Sequence, residues 1–274
     1  MSQTKRVLFY VDKSKIEKIG WENYKKAECA IKGQNYTIEV GTKYYGEYDY
    51  IFTSASHCDK TSYVDLVNAN TQKMYADDVE TQEQLLSRYR LNELLSKHHI
   101  SIPSYSYCRC QEDLENVVST RKVNLPLIAK CDVSQGGSRQ MSILFQPVLN
   151  TINYPCFVQE YLDHDGLILK IYLIGRKVVL QEWEDAIENV DASVPQTTFK
   201  NEKAKIAKRT IPLNQDDVLN IAYSVYDSLK LPFLGVDVVL DKKTQKLFVI
   251  DINLFPSYHK KFSPSDLVTL LLSH

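Results

Sequence analysis

No two cysteines stand in C-x-x-C spacing, no apolar run approaches the roughly 18 residues of a membrane helix, and neither sign of charge prevails. The six cysteines (Cys29, Cys58, Cys108, Cys110, Cys131, Cys156) are scattered, and Cys108-Arg109-Cys110 is too tight for ordinary zinc-ligand spacing. Reduced, structural thiols are expected. Lys and Arg number 33 against 34 Asp and Glu, a formal net charge of −1. That balance excludes bulk electrostatic binding to nucleic acid or membranes, while leaving room for local basic pockets. Only five apolar residues, Val7 to Val11, precede Asp12, which reads as a first strand rather than a signal peptide. Internal repeats and low-complexity tracts are absent. A soluble, cytosolic protein is expected. Its 274 residues and 44% hydrophobic content are enough for two or three ordinary globular lobes.

Strand-like runs at Val7–Val11, Tyr36–Val40 and Tyr48–Phe52 alternate with helical segments at Lys13–Lys32 and Thr61–Asn70. This predicts an α/β lobe at the N-terminus. A helix over Thr81–His99, capped by Asp78 or Thr81, carries two apolar clusters on different faces. Ile102-Pro103 stops it. A helix over 111–120 comes next, then strands at Leu125–Lys130, Met141–Phe145, Phe157–Leu162, Leu167–Leu173 and Lys177–Trp183. Residues 184–205 are polar and aperiodic around Pro195, which reads as a long loop of the kind that forms lids. Asp216–Leu229 and Pro264–Ser273 read as helices. The expected lobes are 1–100, 101–162 and 163–274.

The chemistry concentrates near the C-terminus. In Leu247-Phe248-Val249-Ile250-Asp251-Ile252-Asn253-Leu254-Phe255-Pro256-Ser257-Tyr258, two oxygen side chains alternate in a β-branched run that ends at proline. On a strand, Asp251 and Asn253 share one face. Asp237 lies in a second strand-like run, Phe233–Leu240, and a polar segment of hairpin length joins the two. Folding the hairpin would gather three oxygen ligands suited to Mg²⁺. The alternative reading, that Asp and Asn merely end the strands, is equally open on spacing alone. Upstream, Lys130 ends a strand just before Ser134-Gln135-Gly136-Gly137-Ser138. There an ammonium and backbone N–H groups could meet phosphate oxygens, although the loop is no Walker A sequence and an ordinary hairpin has the same look.

Strand, lysine, glycine loop, strand, Gln159-Glu160-Tyr161 strand and carboxylate hairpin occur in the linear order of ATP-grasp enzymes. Within that fold the chain resembles inositol 1,3,4-trisphosphate 5/6-kinases, also called inositol-tetrakisphosphate 1-kinases, over about residues 5–274. The resemblance rests on Ser87-Arg88, on the Lys130 strand with Gln135-Gly136, and on Val158-Gln159-Glu160-Tyr161. It rests further on His164-Asp165-Gly166 with Lys170-Ile171-Tyr172-Leu173-Ile174-Gly175 after it, on Leu234-Gly235-Val236-Asp237, and on Asp251 to Tyr258. It implies an α/β protein of ATP-grasp type, with ATP clamped between two antiparallel-sheet lobes behind an N-terminal α/β lobe. Lys130, Gly136, Gly137, Ser138 and Arg88 would meet nucleotide phosphates. Glu160 and Tyr161 would meet adenine through backbone groups, with Gln159 alongside. Asp237, Asp251 and Asn253 would hold Mg²⁺. Lys170, Arg88 and His164 would serve the transfer itself, and Lys15, Arg139, His164, Gly166, Lys170, Asn253 and Ser257 the acceptor.

The implied activity is transfer of the ATP γ-phosphoryl group to a hydroxyl of an inositol phosphate by a cytoplasmic monomer, with no nucleic-acid or membrane partner. A carboxylate–amine ligase and a nucleotide-binding scaffold are the competing functions. Ligase metal strands more often read Glu-x-Asn, whereas this chain has Asp251-Ile252-Asn253. The departures from the family pattern concern the acceptor. Arg139 stands where a histidine is usual, and Gln181-Glu182-Trp183-Glu184 replaces an arginine-proline-serine segment. Fewer cations imply an acceptor with fewer phosphates than a tetrakisphosphate.

Overall fold

The computed structural model describes residues 3–24, 26–44, 47–53, 84–133, 140–146, 153–185, 192–200 and 205–273. The Thr61–Asn70 segment and the 134–139 loop lie outside the described residues. Three sheets organise the chain.

The first contains β1 (Lys5–Tyr10), β2 (Lys26–Ile31), β3 (Gln34–Gly41) and β4 (Tyr50–Thr53), in the order β2-β3-β1-β4. β1 runs parallel to both β3 and β4. Val7 and Phe9 point into one core, Leu8 and Tyr10 into another. Burial on both faces suits an interior parallel strand. The helix expected over Lys13–Lys32 is shorter, Lys13–Ile19. Asp12 caps its start through the Lys15 amide. Gly20 ends it at φ +80, a left-handed turn that side chains with a Cβ resist. The second half of the expected helix is instead β2, antiparallel to β3. Charge periodicity runs unbroken through this stretch, but the glycine divides it into two elements.

The middle sheet runs β11-β7-β6-β8-β5, with every neighbour antiparallel. Its strands are β5 (Tyr105–Cys108), β6 (Leu127–Cys131), β7 (Gln140–Leu144), β8 (Cys156–Glu160) and β11 (Gln196–Lys200). The Gln111–Ser119 helix covers one face through Leu114 and Val117. β11 corrects the expectation of a long loop over 184–205: residues 196–200 pair with β7, and a further two residues, β12 (Lys205–Ile206), pair with the last sheet. A polar edge strand has no buried face to impose alternation, so its sequence reads as loop. The helix expected over Thr81–His99 is interrupted at Ser87. That residue is extended (φ −98, ψ 121), bridges Val133 and caps a new helix, Arg88–Lys97.

The last sheet runs β12-β10-β9-β13-β14, with β9 (Leu167–Ile174), β10 (Lys177–Asp185), β13 (Phe233–Leu240) and β14 (Leu247–Leu254). The Gln215–Leu229 helix buries Val218, Ala222, Val225 and Leu229 at three- and four-residue spacing against its inner face. The Pro264–Leu272 helix opens with a Ser263/Asp266 capping box and packs Leu267 and Val268 into the core shared with the first sheet.

An aromatic cluster joins the first lobe to the last. The Phe9 ring lies 5.1 Å from Trp21 and from Phe52, and 6.0 Å from Phe233 and from Phe255. Truncating Phe9 removes contacts on both sides of this seam. Phe9→Ala is expected to cost about 3–5 kcal/mol in denaturant unfolding. A loss below about 1 kcal/mol would show that the seam does not hold the lobes together.

Candidate active site

Inward positions of the last sheet fall out of its alternation. Leu167, Leu169, Ile171 and Leu173 pack with Leu234, Val236 and Val238 in the core. The intervening residues share the other face. In register across β14, β13, β9 and β10, one row reads Asp251, Asp237, Lys170, Glu182. The adjacent row contains Asn253, Gly235 and Tyr172. A β-bulge creates this phasing on β14, where Asp237 pairs with Asp251 but Val238 pairs with Val249. Leu247 and Val249 are buried on one side of the bulge, Ile252 and Leu254 on the other. The two pairs are out of step by one residue, so Ile250 must be absorbed to keep both inside and to leave Asp251 and Asn253 facing out together. Gly235 leaves space here: a Cβ at that position would lie 3.2 Å from Pro256 Cβ.

Lys170 Nζ donates to Asp237 Oδ2 at 2.6 Å and lies 3.7 Å from Glu184 Oε2. Burial disfavours its charge, but the two carboxylates outweigh that and raise its pKa. Burial likewise pushes the Asp237 carboxyl up, Lys170 pulls it down, and Asp251 adds to the upward push. Asp237 Oδ1 is buried without a hydrogen-bond partner among the described residues.

Cations approach from the middle sheet. Arg88 is buried; its Nη1 donates to the carbonyls of Cys131 (2.6 Å) and Val133 (2.9 Å), and its Nη2 lies 3.9 Å from Asp251 Oδ2. Arg88 Nε is a second buried polar atom without a partner among the described residues. Lys130, at the end of β6, donates to Gln159 Oε1 at 3.2 Å. Burial pulls its pKa down to about 8, against the nearby Asp251. Lys130 from the middle sheet, Arg88 from the helix beside it and Lys170 from the last sheet thus stand around the Asp237/Asp251 pair, where Asp237 Oδ1 and Arg88 Nε are buried without a hydrogen-bond partner among the described residues.

The sequence matches the family described as inositol 1,3,4-trisphosphate 5/6-kinase ATP-grasp domain over residues 95–273. The chain belongs to this family. Inositol-tetrakisphosphate 1-kinases from Xenopus laevis and Danio rerio are 24% and 21% identical to it, over 77% and 71% of its length. The matches cover 59% and 56% of those relatives, so the chain spans little more than half of their length. Among solved structures, a RimK domain ATP-grasp protein from Sphaerobacter thermophilus superposes at TM-score 0.59 and 12% identity, covering 97% of each chain. D-alanine–D-alanine ligase from Bacillus anthracis superposes at TM-score 0.58 and 12% identity, covering 98% of this chain and 91% of its own. At such identities the likeness is one of fold, and that fold is ATP-grasp.

Other residues expected at an ATP-grasp kinase site are placed unevenly. Gly136, Gly137, Ser138 and Arg139 lie outside the described residues. The backbone N–H groups of Glu160 and Tyr161 already donate to Ser104 O and Pro126 O, both at 2.8 Å. Of their backbone groups, the carbonyls rather than these N–H groups are the ones left for an adenine contact. The Glu160 carboxylate is held by Ser104 and Asn124. His164 is buried, with its ring edge-on to Tyr161 and Nδ1 2.8 Å from Leu162 O. A carbonyl can only accept, so Nδ1 bears the proton and Nε2 is left as an acceptor. Burial lowers its pKa, which makes it a neutral hydrogen-bonding group rather than a phosphate-binding cation. Gly166 comes next but one, at φ +67 in the turn into β9. Ser257 opens the turn after β14, its carbonyl taking the Lys260 amide.

Lys15 stands apart. It is 2% exposed, its ammonium donates to Phe255 O, and it lies 4.9 Å from the Phe255 ring. Its ammonium is thus engaged by a backbone carbonyl within the Asn253–Ser257 segment rather than open to solvent. The helical spacing of Lys13 and Lys15 gave no sign that one of them turns inward. Four residues at or behind the site were given no role in the motif reading: Asn92, Tyr172, Glu184 and His259. His259 Nε2 lies 2.9 Å from Tyr172 OH and 3.3 Å from both Glu182 Oε2 and Glu184 Oε1. Lys261 also pairs with Glu182.

Asp237, Asp251 and Asn253 fit a hard divalent cation. Lys170 takes Asp237 Oδ2 and leaves Oδ1 available, and the donor set is all oxygen. Among the described residues no third His, Cys, Asp or Glu completes a cluster, so the amide of Asn253 and the nucleotide would supply the remaining ligands.

The Lys130 pKa sets a pH dependence. Below about 8 the side chain is a cation ready for an anionic ligand; above it, binding must take up a proton. ATP affinity is expected to be flat between about pH 7 and 7.5 and to weaken by up to about tenfold per pH unit above 8. Lys130→Met should abolish the break. Calorimetric titration across pH checks both, and an unchanged profile in the variant would assign the break to another group.

Proposed function

We propose that this chain is a cytoplasmic, monomeric, Mg²⁺-dependent kinase that moves the ATP γ-phosphoryl group to a hydroxyl of an inositol phosphate. Its working parts are the lobes 1–100, 101–162 and 163–274. The observation that carries the reading is the Asp237/Asp251 pair faced by Lys130, Arg88 and Lys170 across two sheets. Phosphoryl transfer through a loose transition state asks little covalent chemistry of the protein; positioning and neutralisation of phosphate charge do most of it. Lys130 and Arg88 bind nucleotide phosphates, together with Gly136, Gly137 and Ser138. Gln159, Glu160 and Tyr161 line the adenine end. Asp237, Asp251 and Asn253 hold Mg²⁺, which when bound neutralises the phosphate oxygens. Lys170, already held by Asp237, lies beside the transferring group. His164, neutral and with Nε2 as acceptor, orients the acceptor hydroxyl, and Gly166, Asn253, Ser257 and Arg139 shape its pocket.

The acceptor side is short of cations. Glu182 and Glu184 occupy the sheet face beside Lys170 and draw His259 and Lys261 to themselves. A phosphate buried there without a cationic partner would cost several kcal/mol of desolvation. The acceptor is therefore an inositol carrying fewer phosphates than a tetrakisphosphate. Comparing kcat/KM across mono-, bis-, tris- and tetrakisphosphates at fixed ATP and Mg²⁺ tests this, and an optimum at the tetrakisphosphate would overturn it. ATP turnover that needs only the inositol phosphate separates the kinase from a ligase, which requires an acid and an amine together. Asp251→Asn should lower kcat by about 10²-fold or more, because one negative metal ligand is lost while the strand pairing survives. Turnover near wild type in that variant would remove the carboxylate pair from the mechanism.

A further inference from the structure

Behind the two phosphate-facing cations runs a line of buried side-chain amides. Lys130 Nζ donates to Gln159 Oε1 (3.2 Å), Gln159 Nε2 donates to Asn92 Oδ1 (3.3 Å), and Asn92 Nδ2 donates to Arg88 O (2.8 Å). Gln159 is 1% exposed and Asn92 4%. The ends of this line dictate its direction. An ammonium can only donate and a carbonyl can only accept, so each amide must turn its oxygen toward Lys130 and its nitrogen toward Arg88. Flipping either amide would set donor against donor at one junction and acceptor against acceptor at the other. The line also crosses three elements: Lys130 on β6, Gln159 on β8, and Asn92 with Arg88 on the Arg88–Lys97 helix.

From this directed line we infer that Asn92 is a positioning residue for ATP, anchored on the Arg88 carbonyl and acting through Gln159 to fix the direction of Lys130. The inference rests on the reading of those two cations as nucleotide ligands. Asparagine is a poor choice for a helix interior on propensity, and leucine has the same branched outline without the hydrogen-bonding groups. Its amide, in contrast, satisfies two partners at once, one on the neighbouring sheet and one a full helical turn back. A cation that must meet phosphate oxygens gains from having its direction set before the ligand arrives. Without Asn92, Gln159 Nε2 would lose its acceptor, its amide would be free to rotate, and Lys130 would lose a fixed partner.

The experiment is ATP binding by calorimetry with Mg²⁺ present, on the full chain, alongside thermal unfolding and initial rates with an inositol phosphate. Asn92→Leu is expected to raise the ATP Kd about tenfold, on the order of one lost buried hydrogen bond, and to leave the acceptor KM unchanged. Asn92→Ser, whose hydroxyl is too short to span both partners, should move the Kd in the same direction and covers the case in which leucine prevents folding. The Lys130→Met background supplies the readout that a purely structural role would not move. If Asn92 acts through Lys130, adding Asn92→Leu to Lys130→Met changes the Kd by less than about twofold. A wild-type Kd in Asn92→Leu and Asn92→Ser, or a tenfold effect that persists in the Lys130→Met background, would overturn the inference and leave the kinase reading intact. Failure of the wild-type chain to bind ATP would overturn both.

Discussion

Two carboxylates directly opposite each other on adjacent strands are an unfavourable thing to bury. At the ~5 Å of a cross-strand pair, their repulsion is about 3 kcal/mol at an effective dielectric near 20. Asp237 and Asp251 stand in that relation. Lys170 answers from one side, on β9, and Arg88 from the other, on a helix packed to the middle sheet. The rest of the molecule is arranged so that these groups meet. The bulge at Ile250 turns Asp251 outward while its neighbours stay in the core. The break at Ser87 lets Arg88 start a helix beside β6, where Asp132 holds both the Ser87 hydroxyl and the Tyr89 amide. The charges remain imperfectly matched, with Asp237 Oδ1 and Arg88 Nε lacking partners among the described residues.

The segment after β14 is the second constraint. Phe255, Tyr258, His259 and Lys260 all have positive φ, a conformation that costs a residue with a Cβ roughly 1–2 kcal/mol. Ties from both flanking lobes hold it. Lys15 donates to Phe255 O, Trp21 Nε1 to Phe262 O, Tyr258 OH to Leu173 O, and His259 meets Tyr172. The first lobe therefore acts on the site mainly through shape. It packs aromatic rings against Phe255 and supports the chain that leads out of Asn253, so a lysine that sequence alone would offer to a phosphate is used as an internal strut.

Much of the site was legible. The alternation of Asp251 and Asn253, the hairpin to Asp237 and the strand-end Lys130 are local patterns, and local patterns derive from backbone geometry. Less legible were features in which one element answers another. Lys13–Lys32 and Thr81–His99 each read as one helix because charge and apolar spacing continue across the breaks, which Gly20 and the Ser87–Val133 bridge impose. The Gln196–Lys200 strand has no apolar face of its own and takes its conformation from β7.

By itself the sequence determined which side chains could share a face: period-two alternation on β13 and β14, and three-and-four spacing on the Gln215–Leu229 helix. It also determined the chemical kind of each group. Tertiary structure alone decided which faces oppose each other. It set Lys170 rather than solvent against Asp237, Arg88 against Asp251, and Asn92 between Gln159 and the Arg88 carbonyl, and it turned Lys15 inward. The physical reason is that periodicity reports the symmetry of one element, whereas pairing energies depend on the distance and burial between elements far apart in the chain.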